Sequence, residues 1–66
     1  MNKYENIEYT EIMNTKYFGV RALSMILGLK IGGVRDYIRR GRLKGVKIGR
    51  HWWVSEENLN KFLKGE

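Results

Sequence analysis

The chain has no cysteine, a single histidine and no long apolar run. Without cysteine it can form neither disulfides nor thiolate metal sites, and a reducing compartment, by default the cytoplasm, is expected. The longest apolar run, around Met25-Ile26-Leu27, is far shorter than the ~20 residues that a membrane span needs. No signal-peptide pattern opens the chain. At 66 residues, we expect a soluble protein with one small core and no membrane contact.

The scarcity of chemically reactive groups argues against catalysis. His51 has no second ligand near it in the sequence, so we interpret it as a polar surface residue rather than a metal or catalytic site. The acidic residues form no cluster that could hold catalytic magnesium, and the glycines do not have the spacing of a phosphate-binding loop. We predict no enzymatic activity, no cofactor and no metal.

Positive charge is what the chain has in excess, with 13 Lys and Arg against 7 Asp and Glu and a net charge of +6. Residues 1–15 have more acidic than basic side chains, whereas residues 30–50 contain one acidic and eight basic ones: Lys30, Arg35, Arg39, Arg40, Arg42, Lys44, Lys47 and Arg50. This concentration indicates a polyanionic partner, with a solvated basic face that serves solubility as the alternative.

The N-terminal residues show only a weak pattern. Residues 1–6 are expected to be loose, and the alternation of Ile7, Tyr9 and Glu11 favours a short edge strand that Ile12-Met13 interrupts. We therefore divide the chain into an N-terminal segment, residues 1–15, and a domain, residues 16–66.

Two short helices are predicted next. Apolar residues at three- and four-residue intervals, and glycines at both ends, indicate a first helix over about Val20–Leu27, with Gly19 as N-cap and Gly28 as stop. The second helix is expected at about Ile31–Arg40, amphipathic with a basic outer face and stopped by Gly41. Joined by a turn of three residues, the pair forms a helix-turn-helix unit, whose second helix usually enters the major groove of DNA.

After Leu43 the apolar period changes to two, which predicts a β-hairpin. Val46 and Ile48 form one strand, Trp52-Trp53-Val54 lie in the other, and Gly49-Arg50-His51 form the tip. Trp52 and Val54 are expected to face the core, and Trp53 the other way.

A last helix is expected after Ser55, which is a good N-cap, with its buried stripe formed by Leu59, Phe62 and Leu63. The other aromatic side chains, Tyr17, Phe18 and Tyr37, are expected in the core or at its edge.

Several motifs follow one another in a specific order: Leu27-Gly28-Leu29, Val34 with Ile38, Arg39-Arg40-Gly41-Arg42-Leu43, Val46-Lys47-Ile48-Gly49-Arg50, Trp52-Trp53-Val54, and Leu59 with Phe62-Leu63. Through them residues 18–63 resemble the excisionase-type DNA-binding family, which is related to the DNA-binding part of the MerR regulators. The resemblance implies a mainly α-helical winged helix-turn-helix fold with a small β-hairpin as the wing. It also implies a role like that of recombination directionality factors, which bend DNA beside attachment sites and help an integrase to excise a phage or mobile element.

The sequence departs from this family where helix two begins. Lys30, Gly32 and Gly33 stand where relatives have Ser or Thr and a polar pair. Each glycine costs about 1 kcal/mol relative to alanine inside a helix, which favours a late or DNA-dependent start of helix two. Asp36 occupies a position that is often basic, so base contacts there are not carried over.

Candidate DNA contacts fall into three groups. Arg35 and Arg39 lie four residues apart, and an arginine fork matches the two acceptors of guanine. Arg50 at the hairpin tip suits a narrow minor groove. The complete set is Lys30, Gly32, Gly33, Arg35, Arg39 and Arg40 in helix two; Lys47, Arg50, His51 and Trp53 in the wing; and Arg42 and Lys44 as additional basic residues.

Each group also has a simpler interpretation. The arginines could be ordinary surface residues. The helix-two N-terminus could be a flexible turn rather than a phosphate site. Trp53 could contact DNA, pack against the arginines, or meet another protein.

We predict sequence-specific binding to double-stranded DNA. An excision factor that contacts an integrase or recombinase is favoured, because the chain has no room for an effector domain. A small transcriptional regulator and a protein-interaction module acting on a recombinase or polymerase are the alternatives, and RNA binding is weaker because aromatic residues do not alternate with basic ones. Since one small module buries little surface on DNA, cooperative self-association on repeated sites is also expected.

Overall fold

A computed structural model describes residues 9–65. The elements follow one another as β1 (Tyr9–Ile12), β2 (Thr15–Gly19), α1 (Val20–Leu27), α2 (Ile31–Arg39), β3 (Val46–Ile48), β4 (His51–Ser55) and α3 (Glu56–Leu63). The expected loose residues 1–6 and the expected strand residue Ile7 lie outside the described residues. Within that part of the chain, no helix is long and apolar enough to cross a membrane.

The strands form one antiparallel sheet of four strands in the order β1-β2-β4-β3. The two inner strands come from distant parts of the chain, with Phe18 opposite Val54 and Gly19 opposite Trp53. The expectation of a mainly α-helical fold with a small β-hairpin and a possible short N-terminal strand is therefore corrected: residues 9–65 form three helices and a four-stranded sheet.

The second hairpin, β1–β2, was predicted only in part. An edge strand at Tyr9 is confirmed, but it continues through Ile12, where the sequence pattern suggested a break. Strand β2 was missed, because the turn before it is made by Met13 and Asn14, which both have positive φ angles of 51° and 66°. Positive φ at two non-glycine residues has no strong sequence signal, apart from the tolerance of asparagine for this region.

Helices α1 and α2 confirm the predicted pair. Gly19 is the N-cap of α1, and Gly28 ends it with φ = 68°. Helix α2 begins at Ile31 and includes Gly32 and Gly33, so the late start favoured by the two glycines is not observed.

Ser24 holds the turn between α1 and α2. Its hydroxyl donates to the carbonyl of Leu29, and the backbone N–H of Leu29 donates to the carbonyl of Ser24 at 3.2 Å. These two bonds tie the last turn of α1 to the residues that precede α2. The relative direction of the two helices is thus determined by local hydrogen bonds as well as by packing.

One hydrophobic core joins all the helices to one face of the sheet. Its buried members are Leu23, Val34, Ile38, Leu43, Val54 and Leu59. Trp52 packs against this core as expected, as do Phe18, Tyr37 and Phe62. Tyr17 was expected there too, but strand alternation places it on the opposite face, since its neighbour Phe18 faces the core.

The β3–β4 hairpin and α3 agree with the sequence in most details, but Leu63, which was expected in the buried stripe of α3, is exposed. Gly49 has φ = 66° in the tight turn. His51 was expected at the tip but is the first residue of β4, paired with Ile48. The Ser55 side chain accepts a hydrogen bond from the Asn58 N–H at 3.2 Å and thereby caps α3.

Gly45 brings the connection between α2 and β3 close to the core. A Cβ at this position would lie 3.1 Å from the Trp53 carbonyl oxygen, 3.3 Å from Ile38 Cγ2 and 3.4 Å from Val54 Cγ2. The first neighbour is backbone and cannot rotate away. A side chain at residue 45 would therefore push α2 and β4 apart.

We expect Gly45→Ala to destabilise the protein by about 1–3 kcal/mol, as overpacking of a tight site does. The matched control is Gly32→Ala, because Gly32 has no atom within 4 Å of a built Cβ. In this helical position alanine should stabilise by up to about 1 kcal/mol. Urea unfolding followed by circular dichroism measures both, and equal stability of Gly45→Ala and wild type would contradict the close approach.

Candidate functional site

Helix α2 presents a basic surface to solvent. Val34 and Ile38 are buried beneath it, so the residues at the other helical angles point outward. Arg35, Arg39 and Arg40 are all exposed. Among the described residues, Arg35 has no acidic partner within 4.0 Å, and its guanidinium is available to an external group.

The other two arginines are held by Asp36. Arg39 Nη2 donates to Asp36 Oδ1 at 2.8 Å, and Arg40 Nε lies 3.1 Å from Oδ2. The arginine side chains remain 78% and 68% exposed. The carboxylate therefore orients two guanidinium groups without removing them from solvent.

This arrangement affects the acid itself. The hydrogen bond from Arg39 is the main cause that lowers the pKa of Asp36 below its ordinary value. Desolvation, the next largest effect, raises this pKa, and the positive charges of Arg40 and Arg39 lower it again. As the pH falls, Asp36 therefore stays ionised to a lower pH than an ordinary aspartate does.

The N-terminus of α2 has room for an approaching group. Lys30 is the N-cap residue and is exposed, and no side chain caps this helix end. Gly32 has open space beside it, whereas Gly33 is half-buried against Leu29, 3.8 Å from the position of a Cβ. Only the first of the two glycines therefore leaves the backbone openly accessible.

The four candidate residues of the β3–β4 hairpin do not share one face. Lys47 pairs with Trp52 and lies on the helix side of the sheet, whereas His51 and Trp53 lie on the other side. Arg50 is in the turn and is exposed. The Trp53 indole is half-buried over Gly19, with ring carbon Cζ3 3.5 Å from the position of a Cβ on that glycine.

Arg42 and Lys44 lie beside a shallow depression between the end of α2 and helix α3. The lining residues are Gly41, Arg42, Lys44, Asn58, Lys61 and Phe62. The Arg42 guanidinium carbon is 5.2 Å from the centre of the Tyr37 ring, and this ring packs edge-on against Phe62 at 5.9 Å. The depression thus has three cationic side chains around it.

Two residues of the candidate site were not predicted from the sequence. Asp36 was set aside as a departure, although its spacing of three and four residues from Arg39 and Arg40 is that of intrahelical ion pairs. Lys61 was not among the candidate residues, and no sequence signal places it near Arg42 and Lys44. Within residues 9–65, no three His, Asp or Glu side chains come together as a metal site.

A family model described as a helix-turn-helix domain matches residues 17–66. The match begins within β2 and includes all three helices and the β3–β4 hairpin. No curated protein and no solved structure is similar enough to the chain to count as a match.

We expect Asp36 to titrate below the ordinary aspartate range in a carbon-detected NMR titration of the side-chain carboxyl groups. Because its pKa is lowered by folding, its stabilising effect is complete above the ordinary pKa and disappears as the pH falls through the folded-state pKa. Arg39→Gln removes the main cause and should raise the pKa of Asp36. Arg35→Gln removes the same charge from the same helix without touching the carboxylate, and an equal rise in that variant would contradict a specific pair.

Proposed function

The chain belongs to the helix-turn-helix domain family, and from this premise we propose that it binds double-stranded DNA sequence-specifically through α2. The observation that carries the proposal is the outer surface of α2, where Arg35 is exposed in the middle of the helix and Arg39 at its end. In this motif the second helix lies in the major groove with its N-terminal residues near the base edges.

The residues of α2 have distinct roles in this proposal. Arg35 is the free guanidinium and is assigned to a base edge or a phosphate. Asp36 orients Arg39 and Arg40, which reduces the side-chain entropy that the arginines lose when they bind. Lys30 and the amide of Gly32 are assigned to a phosphate, since an uncapped helix N-terminus has unsatisfied N–H groups, and Gly33 belongs to the same helix end.

The β3–β4 hairpin acts as a wing in this proposal. Arg50 at the turn enters a minor groove or contacts the flanking backbone, with Lys47 and His51 beside it. Arg42 and Lys44, together with Lys61 across the depression, are assigned to the phosphate backbone, where each cation adds to affinity but not to base discrimination.

Within DNA binding, we propose an excisionase-like architectural factor that bends DNA beside an attachment site and assists an integrase or recombinase. The supporting argument is the resemblance of residues 18–63 to that family, with MerR-like helices and wing. A transcriptional regulator with the same module is the second candidate. The two roles differ in where the binding sites lie, beside an attachment site or within a promoter.

We expect Arg35→Ala to weaken binding to the specific site by roughly 5- to 100-fold and to relax base preference, in keeping with the ~1–3 kcal/mol of one good arginine–guanine contact. Arg39→Ala should behave similarly. Lys64→Ala removes an exposed charge at the end of α3 and serves as the control, with a small effect. Fluorescence anisotropy with specific and scrambled duplexes measures all three, and unchanged affinity and preference in both arginine variants would refute the assignment of α2.

Arg50→Ala should weaken binding to all duplexes by a similar factor and lower the slope of log affinity against log salt by about one, as expected for the loss of one phosphate contact. A change of base preference without a change of slope would show that Arg50 recognises bases instead. Footprinting on the genetic neighbourhood, at two salt concentrations and with competitor DNA, locates the sites and thereby distinguishes the two biological roles.

A further inference from the structure

The sheet has a second face that none of the described helices covers. Helices α1 and α3 pack on β2 and β4, and α2 packs on α1. Val54 is fully buried, and Trp52 and Phe18 also pack against the core, so these side chains mark the helix side. The residues between them in each strand point the opposite way. We call this opposite side the bare face.

Among residues 9–65, no Lys, Arg, Asp or Glu lies on the bare face. By the register of the strands it consists of Thr10, Ile12, Thr15, Tyr17, Gly19, Val46, Ile48, His51, Trp53 and Ser55. The charged strand residues Glu11, Lys16 and Lys47 all lie on the helix side. In a chain in which 30% of residues are charged, a neutral face of this extent is a marked exception.

Apolar side chains are exposed on the bare face. Ile12, Val46 and Ile48 are 39%, 46% and 43% exposed, and the half-buried rings of Tyr17 and Trp53 lie on the central strands between them. Depletion of charge around aromatic and aliphatic residues is the composition of a protein interface core. Without a cation, the bare face is also unsuited to contact a phosphate backbone.

We propose that the bare face is a self-association surface and that its occupant is the bare face of a second copy of this chain. Electrostatic repulsion favours this mode of contact over others between two copies. Each copy has a net charge of +6, so most approaches between two copies are repulsive. Two neutral faces can meet with their charged side chains directed away from the contact, and a twofold axis makes the same patch complementary to itself.

The area of the bare face determines how strong this association is. Four strands of this length at about 4.8 Å spacing cover about 300 Å² per copy, well below the about 800 Å² per partner of a stable complex. The pair is therefore weak in free solution. It becomes significant when DNA holds two copies at a high local concentration.

The position of the bare face allows two DNA-bound copies to pair. Because α2 packs on α1 and the helices lie on the other side of the sheet, helix α2 and the bare face are on opposite sides of the protein. Of the proposed wing contacts, only His51 lies on the bare face, at the edge next to the turn. Two paired copies therefore direct their α2 helices away from each other, toward separate DNA segments or toward two sites on a bent duplex. This consequence rests on the proposed DNA binding, whereas the pairing itself does not.

The first experiment uses the protein without DNA. In a dilution series of ¹H–¹⁵N NMR spectra from about 1 mM to 20 μM, we expect the indole N–H of Trp53 and the amides of Tyr17, Val46 and Ile48 to shift with concentration. Val46→Thr/Ile48→Thr keeps β-branching and charge but removes apolar surface, and should abolish the shifts. Leu63→Gln removes an even more exposed apolar residue from α3 and should leave the shifts unchanged.

The outcomes of this experiment are distinct. Thermal unfolding of the variants ensures that lost shifts do not reflect lost folding, and a single Ile12→Thr variant on the opposite edge of the face provides a second test if the double variant unfolds. Concentration-independent shifts in the wild type would overturn the proposal, whether the face is free or binds another protein.

The second experiment measures binding to duplexes with one and with two sites. Wild type should bind the two-site duplex cooperatively. Ile12→Thr, on the edge strand furthest from the proposed wing, should reduce the cooperativity at least several-fold while its single-site affinity stays within about twofold. Absence of binding to either duplex would refute the proposed function and leave the NMR result standing. Cooperativity that persists in the variant would place the contact between copies elsewhere.

Discussion

The position of α2 relative to the β3–β4 hairpin depends on a single tight contact in a small core. The segment after α2 runs against the Trp53 carbonyl and the Ile38 and Val54 side chains, and it can do so only because residue 45 has no side chain. Leu43, just before it, is completely buried. A core of this size has no second layer that could compensate for a displaced segment. The distance between the basic helix and the basic turn at Arg50 is therefore set by packing rather than by charge.

The elements that could be predicted from the sequence were those with a local signal. Both ends of α1 are glycines with a defined role, and Ser55 caps α3 with its own side chain. Strand β2 lacks such a signal, because Phe18 also fits the helical spacing of Ala22 and Leu23. Its pairing with β4 is a contact between distant parts of the chain, and no pattern within a short window reports it.

In the candidate site, too, the features with a local sequence signal could be predicted and those that depend on distant contacts could not. The exposure of Arg35 and the location of Arg50 in a turn could be deduced from periodicity and glycine placement. That Lys47 and Trp53 face opposite sides of the sheet also follows from alternation, although grouping them as one wing obscured it. Lys61 and Arg42 line the same depression because Phe62 of α3 packs against Tyr37 of α2, and only the folded structure shows this packing.

The order of strands in the sheet has a consequence for how the protein is made. Residues 17–19 pair with residues 53–55. Closing so long a loop costs conformational entropy, and this cost is offset only after the contact has formed. A chain emerging from the ribosome already contains α1 and α2 when β2 still lacks its second neighbour, β4, and the core still lacks Val54. The nascent protein thus carries the arginines of α2 before the core beneath them is complete, and the proposed DNA-binding surface is defined only after residue 55 has left the exit tunnel.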